Sequence, residues 1–459
     1  MHNQDNARTC PKCRTLKQDC LASDGQFSIK RERPTKLMTR SIKAQYFTWL
    51  IFSCFLLFPF KRSIELPILI MTIGGGVLAY RYGRAFFQEP AIRLFTLLFA
   101  CIWIPMLISF PDSYDLRKSG GTVLVFLRYY FTGLFVIWAL RAQDQVPMLV
   151  KLLAGLTAFW VVDALFQAAT GHDFFGWSQI PSRLNGIFGE RQLRLGNALP
   201  LMAPFLILAL RKRLALMILA AVMTGAVVIL AGSRGGWVSF GLVCIWLIFS
   251  ETRRRGISPW KMGVAAVLIG LAGTFAAFEN PGARQRLDQT LLLFSGDEAK
   301  IDQALSLRWT LWKDVFSMVD AHPVNGVGVR AFRYAYPEFA QPGDPFLAVD
   351  EKSGRPTGAF YAHQIVLEVM AETGLIGAAG LALFYALLVR YWRQANLERR
   401  VLALPFAMGA MAWLFPFNTH PSFYTAQWSV IIWLMIAMVC AVLLPLQKVC
   451  CSESDGEKE

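Results

Sequence analysis

The chain has 459 residues, 55% hydrophobic and 17% charged, with a mean hydropathy of +0.42. Its apolar residues come in continuous runs of about twenty, each able to cross roughly 30 Å of hydrocarbon as a helix, which excludes a water-soluble globular class. The formal net charge of +15 could point to nucleic acid, but the basic residues are spread over short connectors and form no single stripe, so they read as determinants of membrane topology.

Residues 1–43 read as a basic cytoplasmic tail. Cys10, Cys13, Cys20 and His2 are zinc-ligand types, yet no second closely spaced pair follows, and a start at Met38 would remove them altogether. Apolar runs then follow near 44–60, 64–80, 91–110, 121–140, 146–169, 193–210, 214–231, 236–250, 259–278, 364–388, 400–417 and 425–445. The expected fold is therefore an all-α polytopic membrane protein of about twelve spans. Nine lie within 44–278, a large outside loop occupies 279–360, three more lie within 361–446, and 447–459 is a second tail. Arg81 and Arg84, Arg141, Arg211 to Arg213, Arg253 to Arg255, and Arg393, Arg399 and Arg400 fall on alternate connectors, which places both termini in the cytoplasm. The same assignment puts 170–192, 232–235, 279–360 and 418–424 outside, where no cysteine is available for a disulfide.

Arginines on the outside break the charge rule. Arg191 and Arg194 stand three apart at the entry to one span, and the next outside connection is the short Gly232-Ser233-Arg234-Gly235-Gly236 turn. Such a turn can expose amides for an anion; its plain alternative is close helix packing by small residues, with an arginine reaching to lipid headgroups. In the large loop, Leu305, Trp309, Trp312, Phe316 and Val319 recur at helical spacing and predict one interfacial helix over 301–320. His322-Pro-Val-Asn-Gly-Val-Gly328 leads to Arg330 and Arg333, and a tract rich in proline and glycine from Gln341 to Gly358 suits a flap over a site.

His363 closes the loop. Gln364, Glu368 and Glu372 follow it on one face of the next helix, and Thr373-Gly-Leu-Ile-Gly377 permits close packing. His172, His322 and His420 are first read as structural, whereas His363, at the threshold of a carboxylate-bearing helix, reads as a base poised near neutral pH.

Four segments together resemble the superfamily of O-antigen ligases and O-antigen polymerases. They are the Gly-Ser233-Arg234-Gly-Gly turn, Arg308-Trp309 with Trp312, His322-Pro-Val-Asn-Gly-Val-Gly, and Ala-His363-Gln-x-x-Leu-Glu368-x-x-x-Glu372-Thr-Gly-x-x-Gly. The resemblance runs over roughly 185–380, with Gln364 where members often carry asparagine. It implies a glycosyltransferase of the bacterial inner membrane, active at the periplasmic face in lipopolysaccharide biosynthesis. The donor would be a glycan on undecaprenyl pyrophosphate, and the acceptor a sugar hydroxyl of lipid A–core, with inversion and with neither metal nor nucleotide sugar. On that reading Arg191, Arg194 and Arg234 hold the pyrophosphate with Arg330 or Arg333 helping, His363 activates the acceptor, and Glu368 orients it. Arginine suits forked phosphate recognition, and the outside loops offer no Asp-x-Asp pair for magnesium.

The polymerase, joining lipid-linked repeats, would use the same donor, and a protein-glycosylating relative is a third enzymatic option. A secondary transporter is the alternative of another class, with Arg128 and Asp163 as intramembrane charges, but no matching half accompanies the large outside insertion.

Overall fold

In hydrocarbon a chain must satisfy its backbone polar groups internally, so the apolar runs become helices. The computed structural model describes residues 34–140, 145–181, 183–189, 194–256, 258, 260, 263, 281–347, 349–350, 355–356, 359–419 and 422–444. Among the described residues, eight α-helices precede the large loop: α1 (Pro34–Leu57), α2 (Glu65–Gln88), α3 (Pro90–Ser109), α4 (Leu116–Ala139), α5 (Val146–Thr170), α6 (Leu195–Ala209), α7 (Leu214–Leu230) and α8 (Arg234–Arg255). The loop carries α9 (Pro281–Leu291), α10 (Glu298–Ala304), α11 (Arg308–Ala321), α12 (Phe332–Phe339) and a two-stranded antiparallel ribbon of β1 (Val349–Asp350) and β2 (Arg355–Pro356). Three helices follow it, α13 (Ile365–Gln394), α14 (Leu397–Leu414) and α15 (Ala426–Leu443).

Every expected span except 259–278 falls on a helix, and that range lies almost wholly outside the described residues. Among the described residues, seven helices are long and apolar enough to cross a membrane, and three shorter apolar helices accompany them. α15 is buried nearly all round and packs on α3, α4 and α14, so the last apolar run is the centre of the bundle. The two intramembrane charges noted in the sequence, Arg128 and Asp163, have structural partners. Arg128 pairs with Glu65 at 2.5 Å, tying α4 to α2, and Asp163 accepts the Phe174 and Ile187 amides at 2.9 Å each.

Connections gather at the two ends. At one end, segment 110–115, segment 171–189, the Ser233 turn, the large loop and segment 415–425 touch one another. At the other, Arg254 and Arg255 donate to the Arg211 carbonyl, and Arg400 donates to that of Arg393.

Two departures from the sequence expectation shape the loop end. The expected helix over 301–320 is two helices, because Ser306 and Leu307 have positive φ (56° and 61°) and break it between α10 and α11. The buried face of α11 is Leu311, Val315 and Met318; Trp309 and Phe316 are exposed. That face is buried against α12 and the start of α13, which takes its apolar area out of water.

α13 is also broken, at Gly374 (φ 63°, ψ −161°). The interruption frees backbone groups that the His322–Gly328 segment takes over. Val327 and Gly328 amides donate to the Ala371 and Glu372 carbonyls at 2.9 and 3.0 Å, while Leu375 and Ile376 donate to Pro323 and Val324 at 2.8 and 3.2 Å. A side chain at Gly374 would stand 2.2 Å from the Val324 oxygen, so the two glycine motifs are the two halves of one joint. The other side of the segment is tied to the α3–α4 connection through Asn325–Asp112 (2.5 Å) and Tyr114–His322 (3.2 Å), a structural role for His322.

Candidate active site

Four connecting segments converge at one end of the bundle. Asp163 and Gln167 on α5 hold segment 171–189 over the helix end, with Gln167 accepting the Asn185 and Gly186 amides at 3.1 and 2.9 Å. Leu184 then donates to the last carbonyl of α7 at 3.1 Å, which brings Arg183 beside the Ser233 turn. In that turn Ser233 caps α8 by accepting the Gly236 amide at 3.2 Å, and its hydroxyl donates to Asn197 on α6. A side chain at Gly236 would meet the Gly196 carbonyl at 2.0 Å. At Gly236 the glycine therefore serves helix packing, the plainer of the two readings of the motif, and the anion-binding potential lies in the arginines around it.

Arg234, the first residue of α8, donates to the Ala304 carbonyl and, at 2.7 Å, to the Ser306 hydroxyl. The break between α10 and α11 exists at the point where this guanidinium holds it. Arg308, at the start of α11, lies close enough to Arg234, Tyr361 and His363 to act on each through space, and Arg183 acts in the same way on Arg234. Arg194 enters α6 next to the same turn, with one terminal nitrogen buried and without a partner among the described residues. Burial lowers the pKa of Arg183, Arg194 and Arg308, and for Arg308 the charge of Arg234 adds to it. Among the described residues no carboxylate forms an ion pair with Arg183, Arg194, Arg234 or Arg308.

His363 sits at the entry to α13 in a left-handed backbone conformation (φ 55°), its ring 4.2 Å from that of Tyr361. Trp312 of α11 donates to the Ala362 carbonyl at 2.9 Å, and Gln364 caps α13 while donating to the Pro416 carbonyl at 2.6 Å. Residues 362–364 are thus fixed from both sides, which is what a non-glycine residue at positive φ requires. Burial first, and the Arg308 charge second, push the His363 imidazole down to about 4, below the near-neutral value expected from sequence. At neutral pH the ring is uncharged and has a lone pair to accept a proton.

Glu368 and Glu372 are fully buried behind His363. Glu368 accepts from the Ser422 hydroxyl and, at 3.0 Å, from the Phe423 amide; Glu372 accepts the Arg330 amide at 2.7 Å. Glu368 therefore ties segment 422–423 to α13. Arg330 (φ 61°) donates to Ser422 at 3.3 Å and, like Arg308, acts through space on Tyr361. Arg333 is exposed and turns to the Tyr334 hydroxyl at 2.5 Å. Of the arginines expected at the site, Arg194 enters the helix whose Gly196 and Asn197 meet the turn that carries Arg234, Arg330 is held by Glu372 and Ser422, and Arg333 is exposed. Arg191 and His420 lie outside the described residues, as do parts of the expected flap. Among the described residues no three His, Cys, Asp or Glu side chains come together to hold a metal ion.

Residues 215–382 match a family described as O-antigen ligase. That match supports an O-antigen ligase-like family for the stretch running from α7 through the large loop into α13. It spans Arg234, Arg308, Arg330, His363, Glu368 and Glu372, while Arg183 and Arg194 lie before it. No curated protein matches the chain. Within the matched stretch, Arg308 and Tyr361 join the site by position. Arg308 was visible in sequence as part of the Arg-Trp motif; Arg183 and Tyr361 had no signal beyond an unpaired outside charge and adjacency to His363.

Proposed function

We propose that the protein is an inner-membrane glycosyltransferase of the O-antigen ligase type. It moves a glycan from undecaprenyl pyrophosphate to a sugar hydroxyl of lipid A–core at the periplasmic face. The observation that carries this reading is the group of arginines, Arg183, Arg194, Arg234 and Arg308, half-buried, with no carboxylate paired to them among the described residues and next to an uncharged histidine. Cations gathered without counter-ions are costly, and a pyrophosphate removes that cost when it binds.

The chemistry follows from the donor. His363 takes the proton of the acceptor hydroxyl as its oxygen bonds to the anomeric carbon from the face opposite the pyrophosphate. The bond from that carbon to the pyrophosphate oxygen breaks, and the electron pair leaves on undecaprenyl pyrophosphate. The arginines stabilise the departing charge, with Arg191, three residues before Arg194, as a further one, and Glu368 keeps the His363 end of α13 in place. The sugar is inverted, and nothing in this sequence of steps calls for a metal.

The test is transfer by purified protein in vesicles containing lipid-linked glycan and rough lipopolysaccharide. His363→Ala should lose about 10²–10⁴-fold in kcat, and Arg234→Ala about 10²–10³-fold, with unchanged insertion. Full activity in either variant overturns its role. In cells, disruption that leaves a single repeat on the core would favour the polymerase, whereas loss of all long glycan with accumulation of lipid-linked polymer favours the ligase.

A further inference from the structure

A second cleft is lined by Arg330 and not by His363. It has a volume of about 490 Å³ and opens between the first turns of α4, the Arg330–Tyr334 segment and the start of α15. Arg117, Lys118 and Arg330 line it against a single carboxylate, Asp115, which is engaged in capping α4 by accepting the Lys118 amide at 2.7 Å. The walls are held in register. Ser119 of α4 donates to the Val329 carbonyl at 2.7 Å, and Arg330 is pinned by Glu372 through its amide and by Ser422 through its side chain. The basic groups thus come from two elements braced against each other, and none of the three cations forms an ion pair among the described residues.

Below the charged rim the lining turns apolar. Arg117, Gly121 and Val125 lie one above the other at helical spacing on α4, and Val125 lines the cleft while half exposed. Beside it Leu124 is 70% exposed on a helix apolar enough to cross a membrane. Cationic groups at the rim with an apolar strip running down a span match an anionic headgroup attached to a hydrocarbon chain.

We propose that this cleft is a separate binding site for a phosphate-bearing membrane amphiphile and, resting on the functional reading above, that its occupant is the glycolipid acceptor. Arg330, which lines the cleft and acts through space on Tyr361 beside His363, then links the acceptor side to the donor side. The volume suits a headgroup of small-molecule size.

The test uses the full-length protein in phosphatidylcholine nanodiscs, titrated with dodecyl phosphate below its micellar concentration, with dodecanol and with inorganic phosphate. Dodecyl phosphate should bind at least tenfold more tightly than either control. The Arg117→Ala/Lys118→Ala protein should lose at least tenfold of that affinity, while Arg234→Ala retains it. Equal binding by wild type and double variant overturns the site, and inorganic phosphate binding as tightly as dodecyl phosphate overturns the amphiphile. In the transfer assay the double variant should raise KM for rough lipopolysaccharide at least fivefold, with KM for the lipid-linked donor unchanged. An unchanged acceptor KM alongside lost dodecyl phosphate binding overturns the acceptor assignment in favour of bulk anionic lipid. If wild type transfers no glycan while the titration behaves as expected, it is the functional reading that fails and the amphiphile site that stands.

Discussion

At position 363 two costs coincide: a backbone in the left-handed region and an imidazole held neutral by burial beside Arg308. The folded pKa, about 4, is depressed from 6.5, so this group's contribution to stability is present above pH 6.5 and is lost as pH falls from 6.5 towards 4. Bound pyrophosphate would offset Arg308 and let the imidazole regain basicity when it is needed. The acid limb of kcat/KM should therefore lie near pH 4, and that of kcat should lie higher, since the two report free and loaded enzyme. Coincident limbs at 6.5 would contradict this. A second buried group titrates in the opposite sense. The Tyr336 hydroxyl has one proton but lies 2.9 Å from Asp314 and 2.8 Å from Asp344, so one carboxyl favours being protonated. Burial and the neighbouring Asp344 push Asp314 up to about 6. Its folded pKa is raised, so stability is greatest below the ordinary pKa of 3.8 and falls as pH rises through 6. Asp314→Asn should abolish the decline in melting temperature between pH 5 and 7; persistence of the decline would remove Asp314 as its source.

At the scale of elements, the joint between α13 and His322–Gly328 ties the large loop to the helix that His363 precedes. Helix propensity alone would run α13 straight through Gly374; tertiary hydrogen bonds to Pro323, Val324, Val327 and Gly328 make the break favourable. Gly374→Ala would place an L residue in a glycine-only region, costing about 1–3 kcal/mol before any clash with the Val324 carbonyl. The expected outcome is a lower melting temperature and faster proteolysis within 281–347, with spans intact. Unchanged proteolysis would mean that the joint does not hold the loop.

Across the whole molecule, the connections gather at two ends, and labelling can test the sidedness read from arginine placement. In a background with cysteines replaced by serine, Phe294→Cys, 84% exposed in the large loop, should react with an impermeant maleimide in intact spheroplasts. Leu397→Cys, 75% exposed at the other end, should react only after permeabilisation. Equal labelling before permeabilisation would overturn the topology.

The local rules carry a long way here. Apolar run length marks the spans, alternation of basic connectors sorts the ends, and the histidine, glycine and arginine motifs stand out because each is unusual at a membrane edge. All of these depend on neighbours in sequence. What depends on approach between distant segments was left to the tertiary structure. That includes the split of the 301–320 helix, which Arg234 holds open from about seventy residues away in sequence. It also includes the entry of Arg183 and Arg308 into the site, the outward turn of Arg333 and the depressed pKa of His363. Burial and through-space charge are properties of the packed chain, so no window of sequence contains them.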